Sequence, residues 1–244
     1  MNAVETPSFE TDDHERIYTH IEHSGAVSPD GVHEEVPLES EQVSEIVDGL
    51  VRDGYLTEFN GRLQLALGVD FETTHQVDGT VVTIRSARQK DVSAIIETIQ
   101  QIIANVRYPR AEDLVTKLIQ DGVVKRHNGV ETRVFFVSTV DDELVGWVHV
   151  GASTLQRLRQ TVELTLGVRS ELRERGIGSH LLKHGCEWAA SNAYQKAFQR
   201  LPMTNERALS FLQSHNWEIE TVRRNHYDRI DEVVMAIELS FREN

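Results

Sequence analysis

The chain has 244 residues, of which 39% are hydrophobic, and a formal net charge of −14 at pH 7. This length is sufficient for one large or two small domains whose cores need no covalent cross-links. Cys186 is the single cysteine, so an intramolecular disulfide is excluded, and we expect its thiol to pack in the core. The sequence has neither a signal-peptide pattern nor an apolar run of about 20 residues, so we expect a cytoplasmic protein with no membrane partner.

Acidic residues are concentrated in the first third of the chain. Residues 1–78 contain 18 Asp and Glu against 3 Arg, whereas residues 79–244 contain 21 acidic and 22 basic residues. We therefore predict two domains, an acidic one with a linker over 1–78 and a second one over 79–244. Only 5 of the 25 basic residues are lysine, and this acid-rich, lysine-poor composition resembles that of proteins from salt-adapted archaea.

The N-terminal part predicts three helices followed by a hairpin. The first helix begins near Asp12, the second follows a turn at 28–31, and the third has an apolar stripe that ends before Gly54. Asn60 and Gly61 then give a strong hairpin signal between two alternating segments. This order of elements resembles a small winged-helix module, a class that binds DNA through its third helix.

The third predicted helix has the wrong charge for duplex DNA. Affinity for DNA depends on neutralising phosphates with Lys and Arg, whereas residues 39–53 contain five acidic side chains and Arg52. We therefore do not expect a nucleic-acid partner. Docking of a partner, or pairing of two copies of the chain as a homodimer, is the preferred role for this module.

The remainder of the chain predicts alternating strands and helices after a linker over 70–79. Strands are predicted by apolar alternation at 81–85, 133–138, 144–150, 162–168, 196–201, 217–222 and 232–239. Helices are predicted from Asp91 to a break at Tyr108-Pro109, over 111–120, behind the glycines near 176, and after Asn205.

The segment 162–188 predicts a strand, a glycine loop and a helix in direct succession. Gly176 and Gly178 stand at the corner, where glycine lets backbone N–H groups approach a ligand closely. The helix adds its positive dipole end, and Arg173 and Arg175 add cationic donors. The pattern lacks the lysine of a Walker loop and the third glycine of a dinucleotide fingerprint. It favours a phosphate-bearing ligand of another kind, the alternative being a purely structural turn.

The string Arg173-x-x-Gly176-x-Gly178 resembles the acetyl-CoA signature of the GNAT N-acetyltransferase superfamily. Asn205-x-x-Ala208 stands where that family usually carries Asn-x-x-Ala. The resemblance covers about residues 81–241, two thirds of the chain. It implies an α/β (α+β) protein with the GNAT fold, a mixed and mostly antiparallel central sheet flanked by helices, beside the winged-helix-like module.

The resemblance also implies acetyl-CoA as co-substrate. Its pyrophosphate would bind the amides of the glycine loop, and its pantetheine arm would pair with the fourth strand where that strand splays from the fifth. A backbone N–H near Leu166 or Val168 would then face the thioester carbonyl. The cofactor-binding residues expected are Leu166, Val168, Arg173, Arg175, Gly176, Ile177, Gly178, Ser179, His180 and Asn205.

Direct attack of an amine on a thioester needs a neutral amine and a stabilised or protonated thiolate. Glu163 is our candidate general base, with a pKa that a pocket could raise; the alternative is a solvent-facing strand residue. The tyrosine that usually acts as general acid in the family is replaced here by Leu212, and Tyr227 is the substitute candidate. Tyr108 and Arg110, between the first two helices of this domain, either line the substrate pocket or form an ordinary turn.

The function expected from the sequence is transfer of an acetyl group from acetyl-CoA to the primary amine of a small-molecule or protein acceptor. A metal is not expected, because His180 and His184, four residues apart on one helix, lack a third ligand in register. Two alternatives stay open. One is a regulator that senses acetyl-CoA without turnover, which Leu212 would permit, and the other is a DNA-binding regulator.

Overall fold

A mixed sheet of nine strands organises the structure, a computed structural model that describes residues 7–68, 71–104, 106–154 and 160–239, without the Glu35 side chain. The helices are α1 (Asp12–Ser24), α2 (Pro29–Glu35), α3 (Ser40–Arg52), α4 (Val92–Ile103), α5 (Pro109–Asp121), α6 (Ile177–Ser191) and α7 (Glu206–Ser214). The strands are β1 (Leu56–Phe59), β2 (Arg62–Leu65), β3 (Glu72–Val77), β4 (Thr80–Ser86), β5 (Arg126–His127), β6 (Glu131–Val140), β7 (Glu143–Ser153), β8 (Thr161–Val168), β9 (Lys196–Pro202), β10 (Glu218–Tyr227) and β11 (Ile230–Glu238). Within those ranges, no helix has both the length and the apolar character needed to cross a membrane.

The large sheet has the order β10-β11-β9-β8-β7-β6-β4-β3, and β5 pairs with one end of β6. Neighbouring strands are antiparallel except for β8 and β9. Helices cover both faces: Gly185 of α6 packs against Leu164, whereas Gly167 on the opposite face packs against Ile102 of α4. The centre of β6 is therefore a continuous buried run. This is the predicted mixed, mostly antiparallel sheet flanked by helices.

The N-terminal part contains the three predicted helices and the β1–β2 hairpin, whose turn places Asn60 and Gly61 at positive φ. It packs tightly on the large sheet. The Tyr18 hydroxyl donates to the His127 carbonyl at 2.6 Å, Glu22 accepts from the His127 N–H at 2.9 Å, and Trp188 Nε1 donates to the Leu67 carbonyl at 2.8 Å. Membership of the winged-helix class stays a prediction.

The predicted linker over 70–79 is wrong for its central part. Residues 72–77 form β3, which pairs with β4 along its whole length. Because β3 is an edge strand with alternately exposed polar side chains, its composition resembles that of a linker. The proposed domain boundary consequently falls in the β3–β4 turn at Asp78 and Gly79, and the division into two domains stays a prediction.

Cys186 is half-buried on α6 and packs against the core, the role expected for it. Burial, together with the nearby Glu187 carboxylate, raises the pKa of its thiol to about 12. The thiol is therefore protonated at neutral pH, when thiolate chemistry would need it ionised.

Candidate functional site

Strands β8 and β9 form a fork. They pair in parallel only from Thr161 beside Lys196 to Glu163 beside Phe198, although β8 continues to Val168. Backbone groups alternate along an antiparallel pair, so those of every second β8 residue point away from β7 and into the fork. Two contacts fit this alternation: the Val168 carbonyl accepts from Arg173 Nε at 2.8 Å, and the Leu166 backbone hydrogen-bonds the Tyr108 phenol. Apart from these two contacts, β8 beyond Glu163 has no strand partner on this side among the described residues.

A cleft of about 600 Å³ lies in the fork, between the end of β8, the start of α6 and the helix α7. Seven of the predicted cofactor-binding residues line it: Leu166, Val168, Arg173, Gly176, Gly178, Ser179 and Asn205. Asn205 also caps α7, since its side chain accepts a hydrogen bond from the Ala208 N–H at 3.3 Å. The strand and the loop that the sequence singled out therefore meet at one cavity.

The N-terminus of α6 opens onto this cleft. Gly176 is its N-cap at φ +83°, a left-handed conformation that favours glycine. Because glycine has no side chain, it cannot cap the N–H groups of the first turn. The His180 N–H bonds the Gly176 carbonyl at 3.1 Å, so the N–H groups of Ile177, Gly178 and Ser179 precede the first helical hydrogen bond. Three N–H groups without a helical hydrogen bond, at the positive end of the helix dipole, suit the binding of an anion.

Three of the predicted cofactor-binding residues lie outside the lining of the cleft: Arg175, Ile177 and His180. Arg175 is exposed, and the Ile177 side chain is buried in the core, which leaves only its N–H for a ligand. Cofactor binding by His180 stays a prediction that the geometry does not favour, because its N–H is used within the helix and its ring stacks on His75 with centroids 3.9 Å apart.

His180 and His184 meet a third histidine, His75 of β3, which no periodicity in α6 could have indicated. Thr73 Oγ1 lies 3.3 Å from Nε2 of both His75 and His184. Among the described residues, no group of three His, Cys, Asp or Glu is arranged to hold a metal ion. The cluster instead joins the edge strand β3 to α6, the helix whose N-terminus opens onto the cleft.

We expect this histidine cluster to make folding less favourable as the pH falls. Burial and neighbouring cationic groups lower the pKa of His180 and of His184 below that of a free histidine. The unfolded chain therefore binds more protons below about pH 6.5, and the free energy of unfolding decreases as pH falls through that region. Denaturant titrations at neutral pH and near pH 5.5 measure this decrease. The free energy of unfolding should decrease less between the two pH values for His180→Gln than for the wild type. An equal loss in both would contradict the assignment.

The predicted base, Glu163, is held by two arginines. Its carboxylate accepts from Arg110 Nε and Nη2 at 2.8 and 2.7 Å, and from Arg200 Nε and Nη2 at 2.9 and 2.6 Å. Burial alone would raise the pKa of Glu163, but hydrogen bonds from Arg200 and Arg110 outweigh burial and lower it. The expected raised pKa is therefore wrong, and the solvent-facing alternative is wrong too, since Glu163 is 9% exposed. Four strong donors make this carboxylate a weaker base than a free glutamate.

The predicted acid, Tyr227, lies at the end of β10 and outside the lining of the cleft. Its hydroxyl donates to the buried carboxylate of Glu232, which also faces Arg223 Nη1 at 3.1 Å. Burial and Glu232 raise the pKa of Tyr227 above that of a free tyrosine. The geometry does not favour a proton donor to the cleft at this position.

Tyr108 is the residue whose importance the sequence indicated only weakly. It is 5% exposed and lines the cleft, which fits the pocket interpretation, and its contact with a substrate stays a prediction. Burial and the Glu163 charge raise the pKa of its phenol, which Thr165 and the Leu166 backbone contact from β8. Leu212, at the position of the missing tyrosine, is fully buried in the same lining.

Arg200 and Gln199 were missed at the sequence level. Both lie in β9, where Gln199 and Arg200 follow two apolar residues and point to opposite faces of the sheet. Gln199 is 2% exposed and lines the cleft. Polar residues inside a predicted buried strand were the available signal, since such groups are rarely buried without a partner.

Residues 97–217 match the family model described as "Acetyltransferase (GNAT) family". The N-alpha-acetyltransferase 50 of zebrafish (Danio rerio) is 29% identical over 94 residues, 37% of this chain, and the chain spans 55% of that relative's length. The ribosomal-protein-S18-alanine N-acetyltransferase of Escherichia coli is similar in structure, with a TM-score of 0.51 and 19% identity over 67% of this chain and 97% of that one. An acetyltransferase structure from Salmonella typhimurium with its cofactor acetyl-CoA gives a TM-score of 0.52 and 17% identity, over 67% and 96%. At these identities the structural likeness is one of fold.

Proposed function

Because residues 97–217 form a domain of the GNAT acetyltransferase family, we propose that the protein is an acetyl-CoA-dependent N-acetyltransferase. It moves the acetyl group to the primary amine of an acceptor by direct attack in a ternary complex. The observation that carries the proposal is the cleft in which the open edge of β8 meets the uncapped N-terminus of α6. A strand edge suits an extended amide-bearing arm, and a helix N-terminus suits a pyrophosphate.

The residues present fit acetyl-CoA. The N–H groups at 177–179 would hold the pyrophosphate, and Arg173 and Arg207, both in the lining, add positive charge. The peptide groups of Leu166 and Val168 would pair with the pantetheine arm. When bound, acetyl-CoA supplies the acetyl group as an activated thioester.

The acceptor side of the site is the sheet face that carries Glu163. This face carries the ion-pair cluster of Arg110, Glu163 and Arg200. Tyr108 lies beside it, and its phenol contacts the backbone of Leu166. Since Glu163 is a weak base, we infer that the acceptor amine loses its proton to solvent before attack. The Leu166 peptide, which the Tyr108 phenol contacts in this structure, would polarise a carbonyl oxygen bound in the fork, and the two arginines would orient the acceptor.

The acceptor class is best approached through peptides. Two of the similar proteins are named as an N-alpha-acetyltransferase and as a ribosomal-protein-alanine N-acetyltransferase. We therefore place the α-amine of a peptide first among acceptors, ahead of lysine side chains and small amines.

The test combines binding and turnover. We expect calorimetric titration of the full chain with acetyl-CoA to show saturable binding, at low and at high salt. Thiol release should then follow the addition of peptide α-amines, and its rate should rise with pH until the acceptor amine is deprotonated. Absence of acetyl-CoA binding in both salt conditions would refute the proposal.

A sensor without turnover is the second candidate, and Leu212 is the observation that favours it. Leucine cannot protonate a leaving thiolate, so the cleft could hold acetyl-CoA without consuming it. Tight binding combined with no thiol release from any acceptor class would identify this function.

For the N-terminal part, we propose an acidic domain over residues 1–78, of which β3 joins the large sheet, and a role in docking a partner or a second copy of the chain. The residues at 39–53 contain five acidic side chains, and a surface of this charge suits basic partners better than nucleic acid. Light scattering of the full chain, with and without residues 1–68, would test the homodimer.

A further inference from the structure

The side chain of Gln199 presents an unexplained buried donor. It lines the cleft and is 2% exposed, yet its Nε2 is buried without a hydrogen-bond partner among the described residues. An amide N–H group buried without a partner costs about 1–3 kcal/mol, so such groups are rare unless a ligand satisfies them. The position of Gln199 suggests which ligand atom this is.

Gln199 is the first β9 residue beyond the pairing with β8. The last paired position sets Glu163 beside Phe198. Because successive side chains alternate, Leu164 and Gln199 both lie on the opposite face of the sheet from Glu163. Leu164 packs against Gly185 of α6, which makes this the face covered by α6. Leu212 of α7 lines the same cleft and stands where the family carries its tyrosine. The tyrosine hydroxyl that the family carries is therefore missing at Leu212, and the cleft contains a different hydrogen-bond donor, the Gln199 amide, without a partner among the described residues.

We propose that the Gln199 carboxamide donates a hydrogen bond to the sulfur of the bound thioester and of the departing thiolate, in place of the missing tyrosine. This rests on the proposed acetyl transfer. The acceptor nitrogen forms a C–N bond to the carbonyl carbon, the C–S bond breaks, and its electron pair leaves on sulfur. The nitrogen proton passes to solvent. Gln199 stabilises the thiolate and transfers no proton, because a carboxamide does not ionise at neutral pH.

This role differs from those of the groups on the opposite face. Thr165 and the Leu166 backbone contact the Tyr108 phenol on the sheet face that carries Glu163, whereas Gln199 lies on the face covered by α6. The hydrogen bond from Gln199 therefore stabilises the negative charge that develops on the sulfur as the C–S bond breaks. Release of CoA as a thiolate becomes feasible without a general acid.

The experiment replaces Gln199 with methionine, which has nearly the same shape and no N–H donor. We expect kcat to fall about 10-fold, the size of one lost hydrogen bond to a charged group, with the KM for acetyl-CoA within about 2-fold. The second readout is independent of turnover. The thiol of bound CoA, followed by its thiolate absorbance, should ionise at a higher pH in Gln199→Met than in the wild type. Binding of desulfo-CoA, which lacks the sulfur, should be equal in both proteins.

Gln195→Met is the matched control, since Gln195 precedes the same strand but is exposed. It should leave kcat and the ionisation of bound CoA unchanged. If Gln199→Met unfolds, Gln199→Leu provides the same test, since leucine also lacks the amide donors and carries no charge. An unchanged ionisation of bound CoA in a folded Gln199 variant would overturn the inference. Failure of the wild type to bind CoA at all would instead overturn the proposed function.

Discussion

Gly176→Asp should weaken acetyl-CoA binding by about 30- to 100-fold. The substitution places a carboxylate at the N-cap of α6, where the pyrophosphate is proposed to lie. Two unit charges about 6 Å apart, at an effective dielectric constant of about 20, repel by roughly 3 kcal/mol, which corresponds to about 100-fold in affinity. Calorimetric titration with acetyl-CoA measures the effect directly.

Gly176→Asn is the matched control for this change. Asparagine has the shape of aspartate, tolerates a left-handed backbone and carries no charge. A Cβ at Gly176 meets no described atom within 4 Å, so both side chains fit, and both share a conformational cost of roughly 1 kcal/mol. The difference between the variants therefore isolates the charge. Equal affinities for acetyl-CoA would place the phosphates elsewhere.

Glu163→Gln should destabilise the fold more than it impairs the chemistry. The change leaves Arg110 and Arg200, with side chains 28% and 26% exposed, without their shared carboxylate. Breaking a fully buried pair costs about 3–5 kcal/mol, and partial exposure reduces this to about 2–3 kcal/mol. Thermal unfolding should shift downward by about 5–10 °C for a chain of this length. Asp113→Asn is the control, since it removes the exposed partner of Arg110 and should cost under about 1 kcal/mol.

The pH dependence gives this prediction its sign. The pKa of Glu163 is lowered in the folded state, so its stabilising effect is complete above the ordinary glutamate pKa of about 4.3 and is lost as pH falls through the folded value. Glu163→Gln should therefore have a shallower decline of stability in acid. A variant of unchanged stability that loses more than about 100-fold in kcat would restore Glu163 as the general base.

The sequence was most informative where chemistry and backbone geometry coincide. Gly176 and Gly178 follow an alternating strand and precede a helical stripe, so the glycine loop between β8 and α6 followed from local rules. The same rules located the hairpin at Asn60. Local patterns were sufficient because each of these features is decided within a few residues.

Features decided by distant contacts were not predictable. Glu163 was taken for a base because no local pattern places Arg110, 53 positions earlier, against it. Tyr227 was taken for an acid for the same reason, since its bond to Glu232 arises only when β10 folds against β11. β3 was missed because edge strands need fewer apolar residues than central ones. A pKa, in particular, depends on neighbours that the order of residues does not reveal.

The edge strand β3 limits where a truncated catalytic fragment of this protein can begin. A fragment that begins at residue 79 would retain the family match at 97–217 but would strip β3 from β4 and Leu67 from Trp188. The bared N–H and C=O groups of β4 would then serve as a template for a second fragment, and the products would aggregate through new intermolecular ladders. A catalytic fragment that stays monomeric must therefore start before Glu72, inside what the charge distribution assigns to the other domain.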